Sequence, residues 1–305
     1  MTIEILMVIG FCLAAYSIVG NDVPQTLGTF LSSNSHRPWW ILWIFISSIL
    51  VVVLMYGWYA SGVGDASYGR LETIPFPEGG ITWLYIVPPI LLLFLTKYGI
   101  PVSTTFLVLT IFSPSSLGSM MVKSMMGYAV AFITALIIYR FVANKMTVYF
   151  NQTKDQEHST KWVVLLWLST AVLWSQWLIQ DLANIFVYVP RQVPFEFLMF
   201  AIAVFVVLLG IILYQRGGAI QKIVDTKTDV NDVRAATIVD FIYAIILLIF
   251  KEWSNIPMST TWVFLGLLAG REFAISMYIN AVSSRHTSRN VSKDSMKLLF
   301  GLIIS

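Results

Sequence analysis

The sequence is short of charge. Among its 305 residues, Asp, Glu, Lys and Arg together make up 11%, against roughly 25% in a soluble domain. A water-facing surface cannot be assembled from that stock, which excludes a soluble enzyme and a nucleic-acid binder. Cysteine is almost missing. Cys12 stands alone in an apolar run, so it cannot close an internal disulfide; a secreted disulfide scaffold is excluded and Cys12 reads as a small core residue. The three histidines, His36, His158 and His286, fall in hydrophilic stretches, which leaves no buried histidine relay. The chain carries no phosphate-binding Gly-rich loop, no zinc-spaced Cys and His set and no Gly-x-Ser-x-Gly turn, so neither an enzyme nor a resident cofactor is expected. The start, Met1-Thr2-Ile3-Glu4, lacks the basic region of a signal peptide, and the first apolar run is expected to stay as a membrane segment.

What is abundant is apolar: 57% of residues are hydrophobic and the mean hydropathy is +0.78. Lipid requires backbone polar groups to be satisfied within the segment, so the expected fold class is an all-α polytopic membrane protein. Runs near the 20 or so residues needed to span occur at Ile3–Gly20, Trp39–Ala60, Ile81–Thr96, Ser119–Phe141, Trp162–Ile179, Phe195–Tyr214 and Ala235–Phe250. Trp39, Trp40, Trp83, Trp162 and Trp253 at their ends suit an interfacial belt. Between them, Asn21–Leu31, Ile100–Phe112, Asp181–Val189 and Ile256–Gly270 open with polar or helix-breaking residues and are expected to be broken or re-entrant helices. The connecting loops are too short for a separate globular domain.

An internal repeat organises the chain. Gly99-Ile-Pro101-Val102-Ser103-Thr104-Thr105 recurs as Asn255-Ile-Pro257-Met258-Ser259-Thr260-Thr261, and Asn21-Asp22-Val23 is echoed by Gln180-Asp181-Leu182. The offsets, 156 residues for the prolines and 159 for the aspartates, nearly agree, which is the mark of a duplication. It divides the chain into a first repeat over 1–143, a cytoplasmic linker loop over 144–161 and a second repeat over 162–305. Basic residues gather in three loops: Arg140, Lys145, Lys154 and Lys161; Arg216, Lys222, Lys227 and Arg234; Arg271, Arg285, Arg289, Lys293 and Lys297. Cytoplasmic loops collect Lys and Arg, so these lie inside and the Ser61–Gly80 loop outside. That assignment gives the first repeat an odd number of crossings and makes the repeats inverted, the architecture of secondary transporters that bind substrate near the midplane.

The repeated elements hold the polar chemistry. Proline in the first turn of a helix leaves the following amides without internal partners, and those amides form an anion site at the positive end of the dipole. Ser103, Thr104, Thr105, Ser259, Thr260 and Thr261 add six hydroxyls, enough to clasp one tetrahedral oxyanion between two half-helices. One such copy would read as an ordinary cap; two at matched positions read as a substrate site. Asp22 and Asp181 end long apolar runs, where a carboxylate is costly and marks a functional site. With Asn21, Gln180 and Asn184 they offer the oxygen ligands that a hard cation such as sodium prefers; sodium candidates are Asn21, Asp22 and Asp181. A cap role or a proton carried on the aspartate are the competing readings. Asp240, Glu196 and Glu272 read as helix-end charges, and Arg191 and Arg271 as edge residues that could assist an anion.

Gly20-Asn21-Asp22-Val23 with Gly28-Thr29, the second acidic copy at Asp181, and the doubled Pro-x-Ser-Thr-Thr resemble the inorganic phosphate transporter family of sodium- or proton-coupled carriers. The similarity spans both halves. It implies an inverted-repeat fold with two helical hairpins, a homodimer in the plasma membrane, phosphate held by the hairpin hydroxyls and cations beside the Asn-Asp elements. The chain departs from the family pattern at Pro24-Gln25-Thr26, at Gln180, and at Phe106 and Trp262, where the family often has His. The resulting expectation is a symporter importing phosphate with sodium by alternating access. Sulfate or another oxyanion with proton coupling is the alternative substrate reading, and a channel or non-transporting sensor the alternative class.

Overall fold

The computed structural model describes residues 4–98, 100, 102–153, 159–228 and 232–279. The third basic loop beyond Arg271, and with it Arg285, Arg289, Lys293 and Lys297, lies outside them, as do Lys154, His158 and His286. All regular structure among the described residues is helical: α1 Ile5–Ser33, α2 Trp39–Ala60, α3 Val87–Lys97, α4 Thr104–Phe112, α5 Leu117–Gln152, α6 Thr160–Asp181, the single turn α7 Ala183–Phe186, α8 Phe195–Tyr214, α9 Gly218–Thr228, α10 Val233–Trp253 and α11 Thr260–Ile279. Among the described residues, six helical stretches are long and apolar enough to cross a bilayer. The chain is a multi-pass, all-α membrane protein.

Several boundaries differ from those expected. The break at Asn21 is absent, and α1 runs unbroken through Asn21, Asp22 and Pro24 for 29 residues. Side chains that would otherwise cap and end a helix are bound elsewhere: Asn21 Nδ2 donates to the Val102 carbonyl and Asp22 Oδ2 accepts from Thr104. Pro24 removes the amide that would reach Gly20, a loss that membrane helices tolerate when neighbours compensate. The expected span Ile81–Thr96 shrinks to a 3₁₀ turn, Trp83–Ile86, followed by the 11-residue α3. Pro88 and Pro89 set its start, because prolines donate no amide and restrict the residue before them. The linker expected from 144 is helical as far as Gln152; nothing between Tyr128 and Gln152 is a glycine or proline, so α5 has no reason to stop. The basic loop after α8 holds the amphipathic α9, which Arg216, Gly217 and Gly218 enter through three consecutive positive φ values of 54°, 79° and 62°.

Side-chain contacts fix the helix directions. Thr29 of α1 meets Asp240 of α10, and Thr26 meets Tyr243, so these two helices are antiparallel. Thr170 meets Asp240 and Gln180 meets Leu247, so α6 is parallel to α10 and therefore opposed to α1. Trp43 bonds the Val206 carbonyl and Trp58 that of Val193, which sets α2 against α8. Helices α1 and α6, which bear the matched aspartates, thus run in opposite directions.

Helices α5 and α11 run parallel and meet backbone to backbone. A Cβ built on Gly266 would lie 2.5 Å from the Tyr128 carbonyl oxygen, and one on Gly270 2.2 Å from that of Phe132. In lipid, where apolar side chains gain nothing from leaving water, this backbone-to-backbone approach is what holds helices together. Gly270→Val should therefore lower stability by about 1–3 kcal/mol, read as a loss of thermal midpoint in detergent. Gly118→Ala, where the added carbon meets open space, should leave the midpoint in place.

Candidate functional site

The short α4 and the start of α11 are built alike. Ser103 Oγ accepts from the Phe106 amide at 3.3 Å, and Ser259 Oγ from the Trp262 amide at 3.4 Å. Each serine is the N-cap of its half-helix and bonds an otherwise orphaned amide; its own O–H proton is left to donate. The two starts meet: Thr105 Oγ1 donates to the Met258 carbonyl at 3.2 Å. Beside that contact the rings of Phe106 and Trp262, the residues that follow each triplet, pack edge to face at 5.6 Å and 82°.

Around this junction the sequence-predicted residues gather into one buried network. Thr104 Oγ1 donates to Asp22 Oδ2 at 2.8 Å, while Thr105 Oγ1 lies 3.4 Å from Asp181 Oδ1. Thr260 lies beside Asp181 as well. The Asn184 amide nitrogen donates to Asp181 Oδ1 at 2.9 Å and to both Thr104 and Thr105 at 3.2 Å. Asn21 Nδ2 reaches Asp22 Oδ1 at 2.6 Å. Gln180 donates its amide to the Leu247 carbonyl at 2.9 Å and so faces α10. Thr261 is buried on α11 without a hydrogen bond among the described residues. Every one of these side chains is buried; Ser103, at 5% exposed, is the most open.

Two features of the network bear on chemistry. First, Asp22 and Asp181 are at most 2% exposed, and neither makes an ion pair among the described residues. Uncompensated buried carboxylates are expensive, and hydroxyl and amide donors offset only part of that cost. Second, five buried oxygens in and beside the network find no hydrogen-bond partner among the described residues: Asn21 Oδ1, Gln25 Oε1, Gln180 Oε1, Asp181 Oδ2 and Asn184 Oδ1. In each amide the nitrogen is committed to an oxygen that can only accept, or to the threonine pair. The amide oxygens are therefore left as free acceptors. An array of oxygens with surplus negative charge and no donor fits a hard cation.

Some residues stand elsewhere than expected. Asp240 is no helix-end charge: it is fully buried, and its two oxygens accept from Thr29 and from Thr170. It lies two turns into α10, where the helices α1, α6 and α10 converge. Glu196 does sit exposed in the first turn of α8. Arg191 bonds the carbonyls of Val187, Val189 and Ile74, and Arg271 lies over the Tyr139 ring; neither touches the network. Tyr243 was not foreseen. Its hydroxyl donates to the Thr260 carbonyl at 2.9 Å and also bonds Thr26. Only its spacing of three from Asp240, on one face of α10, could have marked it.

Because Thr105 and Asp181 share one network, their substitutions should not add. Thr105→Val combined with Asp181→Asn should show an interaction energy of about 0.5–3 kcal/mol in a denaturation cycle. Thr105→Val combined with Thr237→Val, whose hydroxyl bonds only its own helix, should be additive within about 0.5 kcal/mol.

No protein-family profile matches the chain, and no curated protein matches its sequence. A solved structure described as "The sodium-dependent phosphate transporter" superposes with a TM-score of 0.59, covering 98% of this chain and 94% of that one at 16% identity. At that identity the likeness concerns architecture, and the chain has the fold of that transporter.

Proposed function

We propose that the protein is a secondary active carrier that imports inorganic phosphate together with sodium by alternating access, in a plasma membrane with the 61–80 loop outside. Its two halves, 1–143 and 162–305, form the inverted repeats. The opposed directions of α1 and α6, and of α2 and α8, support that reading. The observation that carries the function is the single buried network in which both Ser-Thr-Thr helix starts and both aspartates meet. The named activity of the structural neighbour agrees with it.

The network supplies a reason for coupling. The Thr104 hydroxyl and the Asn184 amide are donors, and at present their protons go to the carboxylates of Asp22 and Asp181, while the Thr105 hydroxyl, 3.4 Å from Asp181, gives its proton to the Met258 carbonyl. A cation bound by Asn21, Asp22, Gln180, Asp181 and Asn184 would satisfy those carboxylates in their place. The freed donors, with the amide ends of α4 and α11, would then take an anion. Each ligand raises affinity for the other, as linkage demands. Phosphate fits better than sulfate on the same ground. It still carries a proton at neutral pH, which it can donate to a neighbouring carboxylate, whereas sulfate would leave that buried acceptor unpaired beside a like charge.

Labelled phosphate uptake into proteoliposomes tests this. Uptake should require an inward sodium gradient and ignore excess sulfate. Asp22→Asn and Asp181→Asn should each lower sodium-driven uptake by about ten- to a hundredfold, the range for losing a charged buried interaction, with protein still inserted. Uptake that sulfate blocks and sodium does not affect would sink the reading. The homodimer is tested by crosslinking in native membranes, where a dimer band is expected.

A further inference from the structure

Away from the threonine network, two cations are buried at the end of the bundle that carries the 61–80 loop. Arg70 of that loop is 1% exposed and Lys123 of α5 is 5% exposed. Both hang on the same two backbone carbonyls. Arg70 Nη1 lies 3.0 Å from Ser254 O and 3.5 Å from Ile256 O, and Lys123 Nζ lies 2.8 and 2.7 Å from the same atoms. Sharing the Ser254 oxygen brings the two charged groups within about 6 Å of each other, where like charges repel strongly in a low dielectric. Neither has a carboxylate within ion-pair distance among the described residues. Arg70 Nη2 is a buried donor without a hydrogen-bond partner among the described residues.

A clamp of one cation would suffice to pin residues 254–256. A second cation, and an unused guanidinium N–H, call for an anion. The place is apt: the pinned segment leads straight into Ser259 and Thr260 at the positive end of α11. Ser124, next to Lys123, accepts from the Ser259 amide at 2.8 Å. A largely apolar, open cleft of about 430 Å³ lies beside Lys123, bounded by Val122, Met126, Trp253, Ser254 and Ile256; Arg70 is not among its lining residues. Burial draws Arg70 down to about 10 against the opposing pull of Asp181 and Glu252, so it is still charged at neutral pH.

We propose that Arg70 and Lys123 form a docking site for a tetrahedral oxyanion, distinct from the paired threonines, where phosphate is held before it passes to the helix starts. The guanidinium Nη2 supplies a directed hydrogen bond and Lys123 Nζ a second donor. The inference rests on the phosphate reading above.

Binding of labelled phosphate to the full-length protein in detergent, by scintillation proximity, is the test, together with phosphate uptake in proteoliposomes. Arg70→Gln and Lys123→Gln should each weaken binding and raise KM for phosphate by about tenfold, as expected for losing a hydrogen bond to a charged group. The maximal uptake rate should fall far less. Thr104→Val with Thr260→Val should abolish uptake and keep phosphate binding at the outer pair. Unchanged phosphate affinity in Arg70→Gln and Lys123→Gln, with normal binding by the native protein, would overturn this site alone. Native protein that binds neither phosphate nor sulfate would overturn it together with the phosphate reading. If Arg70→Gln does not survive purification, Arg70→Lys removes the directed Nη2 donor and keeps the charge; affinity equal to the native value would then count against the site.

Discussion

Negative charge placed where water is scarce is the constraint on which the rest of the molecule depends. Asp22 and Asp181 sit at the ends of apolar runs, buried and without a basic partner within ion-pair distance. An ionised carboxylate in that setting has to be answered by donors, by a cation or by a proton. The surrounding structure supplies the donors. α1 continues through its polar motif because Asn21 and Asp22 are occupied by the start of α4, and α6 ends at Asp181 beside Asn184. The two half-helices begin where they do because their serine caps close the first turns beside the aspartates.

Such a network needs a rigid frame, and the frame is made by backbone approach. Gly266 and Gly270 bring α11 against the carbonyls of α5, so the second half-helix is held by a helix from the other half of the chain. Ser124 and Lys123 of α5 also grip the segment in front of α11. At the opposite end, α9 lies on α1. Gln221 donates to the Gly28 carbonyl, and a Cβ at Gly28 would meet Val224 at 2.5 Å. Small residues at both places set the spacing, as expected where helices pack without help from the hydrophobic effect.

Much of this could be read from the sequence, for reasons that differ by element. The membrane class follows from a shortage of charge that no packing could remedy. The site was legible because duplication wrote it twice: Ser-Thr-Thr after proline and an aspartate after an amide recur at matched spacing, and the fold brings all four together. What escaped reading was decided by partners far away in the chain. Asn21 looks like a helix end until Val102 is known to take its amide. Asp240 looks like a terminal charge because nothing nearby in sequence announces Thr29 and Thr170 as its donors. Tyr243 and Arg70 belong to no repeated motif, and the roles of Tyr243, Arg70 and Lys123 come from backbone carbonyls, which a sequence does not display.

The edge-to-face contact of Phe106 with Trp262 has a mechanical meaning. Both rings are buried, 1% and 8% exposed, and each follows its own Ser-Thr-Thr triplet, so one apolar contact ties the two half-helix starts together. In an interior packed as densely as a crystal, neither ring can shift without the other giving way. A displacement of one half-helix start is thereby a displacement of both.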